Sequence, residues 1–377
     1  YDNETLVIKT GKGERTLKWE QLTGANQVSL RAQFIDRKKA SDWLELAELA
    51  MKWDLREQAK AAVANAERID PKSKLKGDAI LRGQANAKPM PLATDAQVKG
   101  EVASIKYQKS TPEQDAAAIK AAQEGAKSVG DRLKVRLAEI QTPHFIIFTD
   151  WDPREFEFLK TNCEGAYSAV SRQFDIPVKE NVFVGKLPVF MFARHDDFKR
   201  YAGQIDRFPV PENVAGYFTS HGDGSGHMAM WKPDVKKWGV QEAEKHWAYT
   251  LTHEFTHAFV SRYRTDRNIP RWLNEGLAEV IAYNQFPITT AHPYAKMMAG
   301  KRFDFEALFD DNKMPGGEMY PVMQTMVEAL IGESRKAFLQ MFDDIKDGMN
   351  PEEALRKNYR AGYKDWEPAW RNYAKRL

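Results

Sequence analysis

The chain has 377 residues, of which 42% are hydrophobic and 29% charged, and its formal net charge is only +3. That length leaves room for two or three domains with sizeable cores, and the composition is ordinary for a globular protein. The near-neutral charge gives no ground for nucleic acid as the main partner, and no apolar run approaches the ~18 residues of a membrane helix. The single cysteine, Cys163, excludes an intramolecular disulfide framework and reads as a small buried hydrophobe in a helix. The first residue is Tyr1 rather than Met, as a removed leader or cloning would leave it. A secreted, periplasmic or cell-surface location of bacterial type is the expectation, although the lack of disulfides suits a cytosolic protein equally.

Residues 1–22 read as two short strands around the Gly11-Lys12-Gly13 turn. Residues 27–84 read as helices. Asp42 to Lys52 carries Leu44, Ala47 and Met51 near helical spacing, and Leu55 to Ile69 follows, closed by Asp70-Pro71. This pair resembles one tetratricopeptide-like helical hairpin. One hairpin is not an array, so residues 1–84 are expected to form a small packing module that could also engage a protein partner. Residues 85–140 are expected to be a linker and a helix. Gln84 to Ile105 has little apolar period and contains Pro89 and Pro91, as an extended arm would. Thr111-Pro112-Glu113 then opens a helix that runs to Ala126 or as far as Leu137.

From Thr142 the pattern becomes α+β, and residues 141–377 are expected to form the principal domain. His144 to Thr149 and Leu187 to Phe192 read as strands, with a helix from Pro153 to Phe174 between them. A short helix is expected from Asp196 to Tyr201. Gly216 to Ser220 and His227 to Trp231 read as a hairpin closed by His221 to Gly226. Asp223 in that glycine-rich turn lacks the spaced acids of a calcium loop. Beyond residue 283 the chain is expected to be helical at Tyr320–Ile331, Ala337–Ile345, Pro351–Tyr359 and Trp366–Leu377.

The chemistry concentrates between Tyr249 and Tyr283. His253-Glu254-Phe255-Thr256-His257 is an H-E-x-x-H motif, and seventeen residues separate His257 from Glu275 in Trp272-Leu273-Asn274-Glu275-Gly276. Residues four apart share a helix face, so His253 and His257 can hold one metal ion. Glu254 is rotated by about 100° from His253, beside the ion, where a general base for a water molecule must sit. A catalytic zinc takes three protein ligands and leaves one position open. The helix Ala248–Tyr263, the polar turn Arg264–Ile269 ending at Pro270, and a second helix Trp272–Tyr283 would fold Glu275 back as the third ligand. Glu279, one turn on, can accept the other ring N–H of a ligand histidine.

H-E-x-x-H followed by W-L-x-E-G-x-A-E resembles the gluzincin metallopeptidases of the broad peptidase MA-like group. The metzincin pattern is not met, because the positions that would need Gly and His hold Val260 and Tyr263. The resemblance covers roughly residues 142–377, and only the metal motifs are specific. It implies a thermolysin-like domain, a small sheet plus a helical half, binding one zinc ion per chain through His253, His257 and Glu275. It implies Glu254 as the base, Glu279 as the acidic partner of a ligand histidine, and peptide or protein as substrate. It also implies that the strand before the metal helix, His227, Met228, Ala229, Met230 and Trp231, walls the cleft and pairs with the substrate. Tyr320 matches a tyrosine that donates to the oxyanion in this group.

Other residues are weighed more plainly. His246 shares a face with His253 but reads as structural. His221 and His292 fall in expected loops. Arg271 could read a substrate carboxylate, although a surface arginine is the simpler reading. No G-x-M-E-N segment caps a substrate amine, since Gly226-His227-Met228-Ala229 lacks the acid, so an endopeptidase is favoured over an aminopeptidase. The alternative is a latent or inactive peptidase-like scaffold, in the latent case with the arm around Lys88–Lys106 lying in the cleft.

Overall fold

A computed structural model describes residues 5–10, 13–19, 24–52, 55–74, 80–81, 107–220, 225–232, 235, 239–287, 291–313 and 316–377. The chain divides into two compact units, Tyr1–Glu101 and Val102–Leu377.

In the first unit, strands β1 (Thr5–Thr10) and β2 (Gly13–Lys18) pair antiparallel, with Leu6 opposite Leu17. Helices α1 (Gly24–Phe34), α2 (Ala40–Lys52) and α3 (Arg56–Ile69) follow. The alanine spacing explains the α2–α3 hairpin. Ala47, Ala50, Ala59, Ala62 and Ala66 are buried with Leu44, Met51 and Val63, and their small side chains allow close approach. After α3, Asp70 accepts from the Lys72 amide and starts the short turn Pro71–Ser73. The arm expected at residues 88–106 lies outside the described residues.

The second unit opens with α4 (Pro112–Leu133), where Thr111 and Gln114 form a capping box and Pro112 occupies the first turn. The helix stops at Leu133 because Lys134 turns left-handed, with φ 57°. Ala126, Val129 and Leu133 pack on Ile146 and Phe148 of the sheet. Strand β3 (Ala138–Gln141), which the residues did not suggest, pairs antiparallel with β4 (Phe145–Thr149). Then come α5 (Phe156–Gln173), β5 (Leu187–Phe192) and α6 (His195–Tyr201), the last running into a π-turn at Ala202–Asp206. Strands β6 (Gly216–Ser220) and β7 (Gly226–Trp231) form the expected hairpin.

The five strands make one mixed sheet, in the order β3-β4-β5-β7-β6, with β4, β5 and β7 mutually parallel. Alternate side chains serve different layers, as the period of a strand requires. Ile147, Val189, Met191, Met228 and Met230 enter the large core on one face. Ile146, Phe148, Phe190, Phe192 and Ala229 meet α4 and α6 on the other. The remainder is helical: α7 (Val240–Arg262), α8 (Arg271–Gln285), α9 (Ala291–Ala299), α10 (Tyr320–Glu333), α11 (Arg335–Lys346), α12 (Pro351–Tyr359) and α13 (Tyr363–Ala374). The whole is mixed helix and sheet, compatible with the α+β expectation. Gly276 is where α8 meets α10. A Cβ there would lie 2.6 Å from the Met323 carbonyl oxygen, so only glycine allows this approach. Among the described residues, no helix is long and apolar enough to cross a membrane.

One expectation is corrected here. His227 to Trp231 is β7, an interior strand paired on both sides, so it cannot take a substrate as an extra strand. The edge beside α7 is β6. The reason is visible in the burial: Met228, Ala229 and Met230 are covered on both faces, while β6 ends in the exposed Ser220. His227 is turned to the far face, where its Nε2 lies 3.0 Å from Asp206.

Candidate metal centre

Helix α7 carries His253 and His257 one turn apart on a mostly buried rod. The chain then doubles back, because Tyr249 and His253 meet Glu279, while His253 and His257 meet Glu275. That order of contacts makes α7 and α8 antiparallel. The turn between them is clamped by the end of α11. The Tyr263 hydroxyl donates to Asp343 at 2.6 Å, the Thr265 hydroxyl to the Lys346 carbonyl at 2.5 Å, and Arg264 lies 3.3 Å from Asp343. Lys346 Nζ donates to the Val260 carbonyl at 2.9 Å and to the Arg267 carbonyl at 2.7 Å.

The turn brings three ligand atoms to one point. His253 Nε2 and His257 Nε2 are 3.1 Å apart, and Glu275 Oε2 lies 3.4 Å and 3.6 Å from them. Bonds of ~2.0–2.1 Å to a tetrahedral zinc place ligand atoms ~3.3 Å from one another, so the three positions fit the ion. Two imidazoles and a carboxylate form the only cluster of this kind among the described residues. Cobalt or manganese would accept the same donors.

The surroundings orient these ligands. Glu279 Oε1 lies 3.1 Å from His253 Nδ1, and its other oxygen accepts from the Tyr249 hydroxyl. A carboxylate at Nδ1 holds the proton there and turns the Nε2 lone pair toward the shared point. His253 Nδ1, despite that short distance, and His257 Nδ1 are both buried without a hydrogen bond of good geometry. Burial works to raise the Glu275 carboxyl, yet hydrogen bonds from His253 and His257 hold it well below the usual carboxylate range. Glu254 behaves differently. Burial pushes its carboxyl up against the pull of the two histidines, and its Oε2 accepts the Phe218 amide of β6 at 3.0 Å. A carboxyl raised in this way is suited to taking and returning a proton near neutral pH.

These groups open onto a cleft of about 550 Å³, also lined by Phe218, Ser220, Arg267, Arg271, Asp311 and Tyr320. The Tyr320 ring stacks near His253, with centroids 6.3 Å apart, and burial raises its hydroxyl. Arg271 is not a detached surface arginine. Its side chain lies beside the Tyr320 hydroxyl, and its Nε lies 4.0 Å from Glu275 Oε1. His253, Glu254, His257, Glu275, Glu279 and Tyr320 are thus brought together, while His227 to Trp231 are not. His246 does not join the cluster, and His292 pairs with Glu328 at 2.9 Å. His221 lies outside the described residues. Cys163 is buried as expected, and burial pushes its thiol up.

Three contributors escaped the sequence. The Phe218 amide is a main-chain donor with no side-chain signature. Asp311, which accepts the Arg271 amide at 3.1 Å, comes from a loop forty residues away. Arg267 sits in the turn that the motif reading treated as a connector. Compared with known proteins, the sequence matches no protein-family model and no curated protein.

Proposed function

We propose that this chain is a zinc-dependent peptidase of the gluzincin type, acting as an endopeptidase with a thermolysin-like catalytic domain. One observation carries the reading: His253, His257 and Glu275 converge at tetrahedral spacing while Glu254, on the same helix, stays off the shared point and is anchored to the sheet edge. The donors suit one zinc ion per chain, held by those three residues. When bound, zinc supplies a Lewis acid that polarises the scissile carbonyl and makes water acidic enough to lose a proton near neutral pH.

The chain's own residues supply the rest. Glu254 takes the proton of the attacking water at its carboxylate and passes it to the leaving amine nitrogen. Its raised affinity for a proton favours the first half of that transfer. Glu279 fixes the tautomer of His253. Tyr320, held by Arg271, donates its hydroxyl proton in a hydrogen bond to the developing oxyanion. The free edge of β6 offers main-chain groups to an extended peptide in place of the interior β7. Phe218 sits on that edge, so the base and the substrate strand share one element.

The test pairs metal content with cleavage of casein, an unfolded protein, by wild type and Glu254→Gln. One zinc per chain in both, with cleavage confined to wild type, supports the reading. Zinc without cleavage by wild type transfers the weight to a latent or scaffolding protein. No metal after zinc is supplied removes the site altogether.

A further inference from the structure

The cleft holds a cation for which the proposed mechanism has no use. Arg267 and Arg271 both line it. Arg271 is already engaged: its guanidinium lies beside Tyr320 and Glu275, and its main-chain amide donates to the Asp311 carboxylate. Arg267 has no carboxylate paired to it among the described residues.

Arg267 is nevertheless held in place. Its carbonyl accepts from Lys346 Nζ at 2.7 Å, and Lys346 is wholly buried. Its amide donates to the Thr265 hydroxyl at 3.4 Å. Its guanidinium packs directly over Gly348, where an added Cβ would come within 2.7 Å of Nη1. The main chain is therefore fixed, and the exposed side chain rests against Gly348, on groups that supply no counter-charge. An arginine gives up rotamer freedom when it binds a ligand. Fixing it beforehand removes that cost from binding, and its planar fork fits a carboxylate with two parallel hydrogen bonds.

We infer that Arg267 is a specificity-determining residue, and that the substrates are peptides with a carboxylate close to the scissile bond, from an Asp or Glu side chain or the C-terminus. This rests on the peptidase reading above and narrows its substrate class. Lys346 is a positioning residue in this scheme, since it touches the substrate only through Arg267.

The experiment uses the full zinc-loaded chain and two N-acetylated random octapeptide pools, one amidated at the C-terminus and one with a free carboxylate. Mass spectrometry of the products gives the residue frequencies at each distance from the cut. In the amidated pool, Asp and Glu should exceed Asn and Gln by about tenfold at one fixed position, the discrimination expected of a charge-assisted hydrogen-bond pair. If the terminal carboxylate is the anion, the free-acid pool is instead cut at a constant distance from its end and the amidated pool is not. Arg267→Gln should abolish the preference, and Arg267→Glu should redirect it to Lys and Arg. A wild-type profile indifferent to acids, or a preference that survives both substitutions, overturns the inference and leaves the peptidase reading standing. Zinc binding with neither pool cut overturns that reading and the inference with it. Calorimetry supplies a readout without turnover. Glu254→Gln protein should bind an amidated pool fixed as Glu about tenfold tighter than one fixed as Gln, and adding Arg267→Gln should erase the ratio. Equal binding of the two pools by the Glu254→Gln protein, together with equal binding of the free-acid and amidated random pools, overturns the inference.

Discussion

Two histidine clusters lie on opposite faces of one sheet, and they differ in what their polar atoms face. On the far face, Asp206 accepts the Tyr217 hydroxyl at 2.5 Å and lies 3.0 Å from His227 Nε2, with the His227 ring edge-on to Phe190 and Tyr201. Those groups answer one another. On the near face, His253, His257 and Glu275 meet one another too, but their ring nitrogens and oxygen all converge on one point. Strand β6 serves both, with the Tyr217 side chain on one face and the Phe218 amide holding Glu254 on the other. Burial of polar groups is therefore not the mark of a site, because both clusters are buried. The mark is lone pairs that converge and need a cation to be satisfied.

The largest expected effect breaks the near cluster at its third ligand. Glu275→Ala should reduce zinc to a trace by elemental analysis and abolish cleavage. EDTA should lower the melting temperature of wild type but not of this variant, because only the former has metal to lose. Glu254→Gln comes next, with zinc content kept and kcat lowered by about 10²–10⁴-fold. Equal loss of zinc in Glu254→Gln would mean that Glu254 is a ligand and that the division of roles is wrong. His227→Ala attacks the far cluster. It strips a partner from buried Asp206 and should cost about 3 kcal/mol in urea unfolding, with one zinc retained. If zinc disappears as well, the two clusters are not independent. Glu279→Gln should weaken zinc about 10–100-fold by competition with a chelator, while one zinc still binds at saturation.

What could be read from the sequence divides along the same line as local and non-local order. His253, Glu254 and His257 were legible because one helix fixes their angles, and Glu275 with Glu279 because a second helix follows a short turn. The α2–α3 hairpin was legible from the helical spacing of Leu44, Ala47 and Met51 and from the closing Asp70-Pro71. Strand β3 was not, since Ala138-Glu139-Ile140-Gln141 has one buried side chain and exists through its pairing with β4. The end of α4 carries no Gly or Pro, because Lys134 itself takes the left-handed turn. Which hairpin strand becomes the edge depends on pairing with β5, although the more apolar reading of β7 was a usable signal. Arg267 was missed for a different reason. Its significance lies in Lys346 and Gly348, about eighty residues away in sequence.

Lys346 yields the smallest effect and the sharpest sign. It is a third kind of buried polar group, answered by carbonyls yet still charged. Burial pulls its ammonium down to about 8; Arg262 lowers it further and Asp266 opposes. Its folded pKa is thus below the unfolded value of about 10.4. Below pH 8 the lysine is protonated in both states and the fold carries the full desolvation cost. As pH rises past 8, the unfolded chain binds more protons than the folded one, so stability climbs. Buried tyrosines such as Tyr363, pushed up by burial to about 12, act in the opposite sense, but only once unfolded tyrosine begins to ionise near pH 10. Between pH 8 and 9 the buried Cys163 thiol also acts in that opposite sense, because unfolded cysteine ionises near pH 8.5, and comparison with Lys346→Met cancels it. Urea unfolding of the zinc-loaded chain should show wild type gaining about 1 kcal/mol across that window relative to Lys346→Met. Parallel pH curves for the two proteins would mean that the ammonium reaches water, and the turn that carries Arg267 would then be less firmly braced than its hydrogen bonds imply.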